Sequence, residues 1–177
     1  SEAELEAAEA AEAAAAAASL QSETSNQTCG SCAPPASLMI LPSGRFAATA
    51  VVGQPAPAFS VSDASGKAVS LADFKGKTVV LDWVNPGCPY VRKHYDSANM
   101  QATQKGAAGQ GVVWLAVNST AQEHYDYKKP ADMAAWMQSQ KAAASHTLMD
   151  SDGKIGKAYG ARTTPHMYVI DAKGTLA

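Results

Sequence analysis

Cysteine is scarce in this chain, with three in 177 residues. Three thiols build neither a disulfide framework nor a four-ligand zinc site. Long apolar runs are missing too. The hydrophobic content of 46% is inflated by alanine, and no run of about 18 apolar residues occurs, so no membrane-spanning helix is expected. There is no basic surplus: the net charge is −2, which argues against nucleic acid as a partner. The first residues lack the basic start and branched apolar stretch of a secretory signal. They are acidic, and any targeting peptide is expected to have been removed already.

The charge that is present is uneven. Residues 1–23 hold six of the 16 acids (Glu2, Glu4, Glu6, Glu9, Glu12, Glu23) and no base. The remainder then carries ten acids against 14 bases, a surplus of +4. Residues 1–20 are mostly alanine and glutamate, a composition of high helix propensity, and read as a helical arm. Its apolar face is mostly methyl groups, so the arm either stands alone or docks on a protein partner. Residues 21–52 read as a linker, marked by Ala33-Pro34-Pro35 and Pro42-Ser43-Gly44 and holding Cys29-Gly30-Ser31-Cys32. That pair is read as a local disulfide or two loose thiols; the other reading is a second dithiol or half of a metal knuckle.

A domain begins near Val52, and its apolar pattern predicts an α/β order. Residues 58–61 and 68–71 flank a turn at 63–66 and read as a hairpin. Residues 78–84 are a nearly continuous apolar strand, as a strand buried on both faces should be. A helix is expected over 89–105, a second buried strand over 111–118 and a polar insertion over 119–129. A helix over 131–144 carries Met133, Trp136 and Met137 on one face. A short extended piece at 147–149, a helical turn at 154–159, a strand at 166–170 and a turn at 171–174 follow. Residues 175–177 only begin a last strand, so the domain reads as C-terminally incomplete. Trp83, Trp114 and Trp136 are read as core.

The most informative stretch is residues 79–95, VVLDWVNPGCPYVRKHY. Its strand breaks at Asn85-Pro86-Gly87. Cys88 follows, and then Pro89, which suits the first turn of a helix. A helix N-terminus carries partial positive charge and free N–H donors. A thiolate there is stabilised, and thiol pKa values in such places fall from ~8.5 toward ~3.5–7.5. This pattern fits a nucleophile better than a buried structural cysteine. Arg92, Lys93 and His94 lie in the next two turns. At about 100° per residue only one or two of them can face the sulfur; the rest form a solvated basic face.

These residues resemble the strand–loop–helix of thioredoxin-fold redoxins, a group that includes TlpA-like thiol-disulfide oxidoreductases and AhpC/TSA peroxiredoxin relatives. Residues 53–77 look like the lead-in hairpin of those proteins. Residues 159–176, YGARTTPHMYVIDAKGTL, look like their cis-proline segment. The resemblance implies a thioredoxin-like fold over 53–177: a central mixed sheet flanked by helices, with the arm and linker outside it. It also places Cys88 at the attacking cysteine and Thr164-Pro165 at the loop that faces the nucleophile, presents backbone to an extended substrate and keeps metals off the thiolate. Asp82 falls at the buried aspartate that handles the thiol proton; a solvated strand-end aspartate is its other reading. His166 follows the loop directly and either reaches the site or is a loop histidine without a role. Tyr90 is expected to cap the site opening, with Asn85, Pro86, Pro89 and Arg92 in support.

Two departures shape the expected chemistry. Val91 stands where thioredoxins keep a second cysteine, so Cys88 cannot close a local disulfide. Asn85 stands where peroxiredoxins place threonine. What survives is a one-cysteine mechanism, in which the Cys88 thiolate attacks a protein disulfide or a peroxide. The expected function is a thiol-disulfide oxidoreductase or an antioxidant thiol peroxidase without cofactor or resident metal. Cys29, Cys32, a C-terminal tail or a small thiol would resolve the intermediate, and a reductant thiol outside the chain is the favoured choice. Two other readings stay open: a non-catalytic structural subunit docked through its arm, and copper delivery using Cys88 with His94 or His166. Loss of a leader and the Cys29–Cys32 pair point to an exported, periplasmic, or organellar site.

Overall fold

The computed structural model describes residues 50–177. The helical arm, the linker up to residue 49, and Cys29 and Cys32 lie outside the described residues. The domain opens with strands β1 (Ser60–Ser62) and β2 (Ala68–Ser70), an antiparallel hairpin, followed by a 3-10 turn at Leu71–Phe74. Strand β3 (Val79–Trp83) leads into helices α1 (Pro89–Asp96) and α2 (Asn99–Gly109). Strand β4 (Val113–Asn118), helix α3 (Pro130–Ser139), strand β5 (His146–Met149), helix α4 (Lys154–Tyr159) and strand β6 (His166–Ile170) complete the order. The main sheet runs β5-β4-β3-β6. β3, β4 and β5 are parallel, and β6 is antiparallel to β3.

Strand β3 is buried at all five positions, because the sheet is covered on both faces. Alternation sends its side chains into two layers. Val79, Leu81 and Trp83 join Leu115, Val117, Leu148, Ile155 and Ile170 on one face. Val80 and Val84 join Trp114, Ala116, Met133 and Met167 on the other, together with Val91 and Tyr95 from α1. Leu81 and Leu115 are fully buried at the centre. Truncating either to alanine costs about 2–5 kcal/mol. Trp83 and Trp114 are core, as expected, and Trp136 packs partly buried against α1 through Tyr95, with ring centroids 5.0 Å apart.

Two expected helices end early. In place of one helix over 89–105 there are two, parted at Ser97–Ala98. Ala98 adopts φ 59°, ψ 9°, a left-handed conformation that costs an alanine about 1–2 kcal/mol. Buried glutamines stitch the break. The Gln101 side chain donates to Tyr95 O at 2.9 Å and to Gln140 O at 2.7 Å. Gln104, fully buried, donates to Tyr95 Oη at 3.1 Å and accepts from Ala143 N–H at 2.7 Å. The helix expected over 131–144 stops at Ser139, and Lys141 takes φ 54°. Its end is closed by Ala142 N–H donating to Met137 O at 3.0 Å.

The last residues pair with the first described ones. Leu176 is buried, bridges Ile170, and exchanges backbone hydrogen bonds with Gly53 and Gln54. No described helix is long and apolar enough to cross a membrane.

Candidate active site

Strand β3 ends where its Val84 N–H still donates to Val117 O at 2.8 Å. The chain then turns on Asn85. Its side-chain Oδ1 accepts from Gly87 N–H at 2.8 Å, and its carbonyl accepts from Cys88 N–H at 3.0 Å. Pro86 is buried beneath this turn. Asn85 is therefore the residue that shapes the loop, an Asx-type turn of the sort this side chain favours. Cys88 sits at the N-cap of α1 with Pro89 at the first helical position. The thiol is partly buried against the Val91–Met167 layer and is the one cysteine among the described residues.

The loop before β6 meets it from the other side. Cys88 Sγ–H donates to Thr164 O at 3.0 Å, and the Thr164–Pro165 peptide is cis. Two segments 76 residues apart thus converge on one sulfur. β3 carries the first and its antiparallel neighbour β6 carries the second, with Trp83 paired to His166.

Asp82 lies behind this contact, inside the sheet. It is 1% exposed, so the reading as a solvated strand-end residue is set aside. Its alternation with Val80 and Val84 points it into the layer beneath α1. One partner is present: Trp114 Nε1–H donates to Oδ2 at 3.4 Å, while Oδ1 has none. Burial pushes the Asp82 carboxyl up to about 7, only partly offset by the Trp114 bond. Burial, reinforced by the nearby Asp82 charge, raises the Tyr95 phenol. A carboxyl so placed holds or releases a proton near neutrality.

His166 does not join the thiol. Paired with Trp83, it projects to the opposite face of the sheet, where its ring lies 4.6 Å from Tyr168. Its Nδ1 accepts from Arg162 N–H at 3.4 Å, and burial lowers its pKa. Strand alternation decides this, since adjacent residues face opposite ways: Met167 takes the Cys88 side. Among the described residues no three His, Cys, Asp or Glu side chains converge as a metal ion would need. Tyr90 is 52% exposed at the start of α1. Arg92 and Lys93 are exposed and His94 is half-buried.

The polar insertion supplies a residue that sequence reasoning passed over. The Asp126 carboxylate packs against the Cys88 turn, so that a Cβ on Gly87 would meet it at 2.5–2.6 Å. Gly87 is the only residue type that leaves room for it there. The glycine in Asn-Pro-Gly-Cys was a visible signal, but its neighbour came from a segment 39 residues on.

The comparisons with known proteins agree with this architecture. The chain is similar to the thiol-disulfide oxidoreductase ResA of Bacillus thuringiensis subsp. konkukian, 28% identical over 132 residues, 71% of this chain and 66% of that protein. It spans just under two thirds of that relative's length. It is also similar to the thioredoxin-like protein YneN of Bacillus subtilis, 32% identical over 124 residues, 70% of this chain and 68% of that one. Among solved structures, an uncharacterized conserved protein from Geobacillus kaustophilus superimposes with a TM-score of 0.65 at 25% identity, covering 71% of this chain and 66% of the other. A secreted disulfide oxidoreductase of Mycobacterium tuberculosis gives 0.53 at 23%, with 67% and 80% covered, a likeness of fold alone. The fold is thioredoxin-like, and the family model described as the AhpC/TSA family matches residues 52–177, so the chain belongs to the AhpC/TSA family.

Proposed function

We propose that the protein is a thiol-disulfide oxidoreductase that works through the single nucleophile Cys88. The observation that carries this is the convergence of the α1 N-cap thiol and the cis Thr164–Pro165 loop, with Sγ 3.0 Å from Thr164 O. A partly exposed thiol at the start of a helix is placed to attack an incoming sulfur. The names of ResA and of the Pseudomonas aeruginosa thiol:disulfide interchange protein DsbE support disulfide exchange over peroxide reduction. In the reaction, the Cys88 thiolate attacks a substrate disulfide, one substrate thiolate leaves, and a mixed disulfide results. A second thiol then releases Cys88. Asp82 exchanges a proton with the reacting sulfurs from inside the sheet. Val91 leaves the second thiol to come from elsewhere. The likeness to the exposed lipoprotein thioredoxin of Streptococcus pneumoniae, 28% identical, supports an extracytoplasmic place of work.

Replacing Cys88 by serine tests this reading. Reductive turnover of a small disulfide should fall to the uncatalysed rate, with the melting temperature nearly unchanged. Retained turnover in Cys88→Ser would overturn it in favour of a structural role for the domain.

A further inference from the structure

At the C-terminal ends of β3 and β4, bordered by the Asn85 turn and the Thr164 loop that contact Cys88, is a pocket of about 270 Å³. Its walls include Asn85, Ser119, Thr120, Arg162, Thr163 and Thr164. Cys88 touches two of these walls, donating from its backbone N–H to Asn85 O at 3.0 Å and from Sγ to Thr164 O at 3.0 Å. Cys88 is not itself a lining residue, but the pocket shares with it the Asn85 and Thr164 segments that it contacts. Arg162 is the only charged residue in its lining, and no carboxylate lines it. Arg162 is exposed and Thr120 and Thr164 are half-buried. Asn85, Ser119, Thr120, Thr163 and Thr164 add amide and hydroxyl groups, and Trp83, Val84, Gly156 and Ala161 complete the wall. The volume lies below the usual range for drug-sized ligands, about 300–1,000 Å³, and suits a small polar group.

The geometry points to a subsite for a low-molecular-weight thiol that bears a carboxylate, held by Arg162 while its sulfur is joined to Cys88. The inference rests on Cys88 being the nucleophile and names the class of its second substrate. A guanidinium offers a carboxylate two parallel N–H donors; no carboxylate lines the pocket, and Asp150 behind Ser119 is already held by Ser119 Oγ–H and the Ile155 and Gly156 N–H groups. The exchange balances as follows. The small thiolate RS⁻ attacks the Cys88 sulfur of the substrate mixed disulfide, expelling the substrate thiolate and forming Cys88–S–S–R. A second RS⁻ attacks the R sulfur, releasing RSSR and the Cys88 thiolate. Two electrons pass from two RSH to one substrate disulfide, and the two protons lost by RSH end on the two substrate thiols.

The test reads mixed-disulfide formation on the full chain. The reduced protein is mixed with glutathione disulfide, which carries carboxylates, or with neutral 2-hydroxyethyl disulfide. Tryptic peptide 78–92 holds Cys88 as its only cysteine, so mass spectrometry follows modification of that thiol alone. Arg162→Gln should lower the ratio of the two rates about tenfold, the size of one charge-assisted hydrogen bond. Arg162→Lys should lower it less. Lys173→Gln makes the same charge change in the turn after β6, outside the pocket, and should leave the ratio unchanged. A ratio in Arg162→Gln within about twofold of wild type, or an equal fall in Lys173→Gln, overturns the subsite. The readout needs no turnover. If the ratio falls as expected but the protein catalyses nothing, the subsite stands and the enzymatic reading fails. If Cys88 reacts with neither disulfide, both are overturned.

Discussion

Two buried aspartates on the two sides of the main sheet are treated in opposite ways. Asp63, in the turn between β1 and β2, is 7% exposed. Ser65 Oγ–H, Ser65 N–H and Lys67 N–H all donate to its Oδ1, and His146 Nδ1 lies 2.9 Å from Oδ2. Burial alone would raise its pKa, but the hydrogen bonds outweigh it and bring the carboxyl down to about 2. Asp82, under α1, has one long bond and an unpartnered oxygen, and burial takes it up to about 7. A carboxylate held by four donors fastens the hairpin to β5. A carboxyl starved of donors is a costly structural element, because an unsatisfied buried group destabilises; it suits a proton-exchange role. Perturbed carboxyls of this kind cluster at functional sites.

The sharpest way to break the contrast is Asp82→Asn. Turnover should fall about 10²-fold, the size of a lost general acid–base group. Stability should move the other way. The Asp82 carboxyl has a higher pKa folded than unfolded, so its folded form is favoured below about pH 4, and that advantage is lost as the pH rises through about 7. Chemical denaturation of wild type should therefore show declining stability from pH 4 to 7 from this group. Asp82→Asn should flatten that slope and be more stable than wild type at pH 8 by about 2–4 kcal/mol. A variant that keeps full activity, or is less stable at pH 8, ends the argument for Asp82.

The opposite result is expected at the other carboxylate. Asp63→Asn should cost about 1–2 kcal/mol at neutral pH by weakening bonds to Ser65, Lys67 and His146, and leave turnover untouched. The sign follows from a depressed pKa: the stabilisation is present above about pH 4 and disappears as the pH falls through about 2. Urea midpoints for wild type and Asp63→Asn should converge near pH 2. Persistent separation there would mean that packing, not charge, holds the hairpin.

The smallest effect concerns a third carboxylate, Asp126, which reaches the Cys88 turn from the insertion. Gly87→Ala would drive a methyl into it at 2.5–2.6 Å; the half-buried end of the Asp126 side chain can give way, so the cost falls at the low end of the overpacking range, about 1 kcal/mol. Adding Asp126→Ala should restore the loss. A double variant no more stable than Gly87→Ala would show that the clash lies elsewhere.

Much of this protein is decided locally. Residues 79–83 and 113–118 are apolar but for Asp82 and Asn118, and a run of that kind is stable only between two covered faces, so the central strands were legible. The turn at Asn85, Pro89 at the first helical position and Cys88 before it were legible too, because capping and turn chemistry act over two or three residues. The break at Ala98 was not. Nothing in an alanine prefers a left-handed conformation; the buried bonds of Gln101 and Gln104 to Tyr95, Gln140 and Ala143 impose it.

The site divides along the same line. Cys88, its helix and the Thr164-Pro165 loop are sequence signals. Only the tertiary structure settled that β6 lies antiparallel to β3, which brings Thr164 O to Cys88 and turns His166 to the far face. Only the tertiary structure left Asp82 short of donors, pressed Asp126 onto Gly87 and set Arg162 in one pocket wall with Asn85 and Thr164. A pattern in the chain fixes which residues can do chemistry. Which of them meet depends on strand register and on loops 39 and 76 residues apart folding onto one turn.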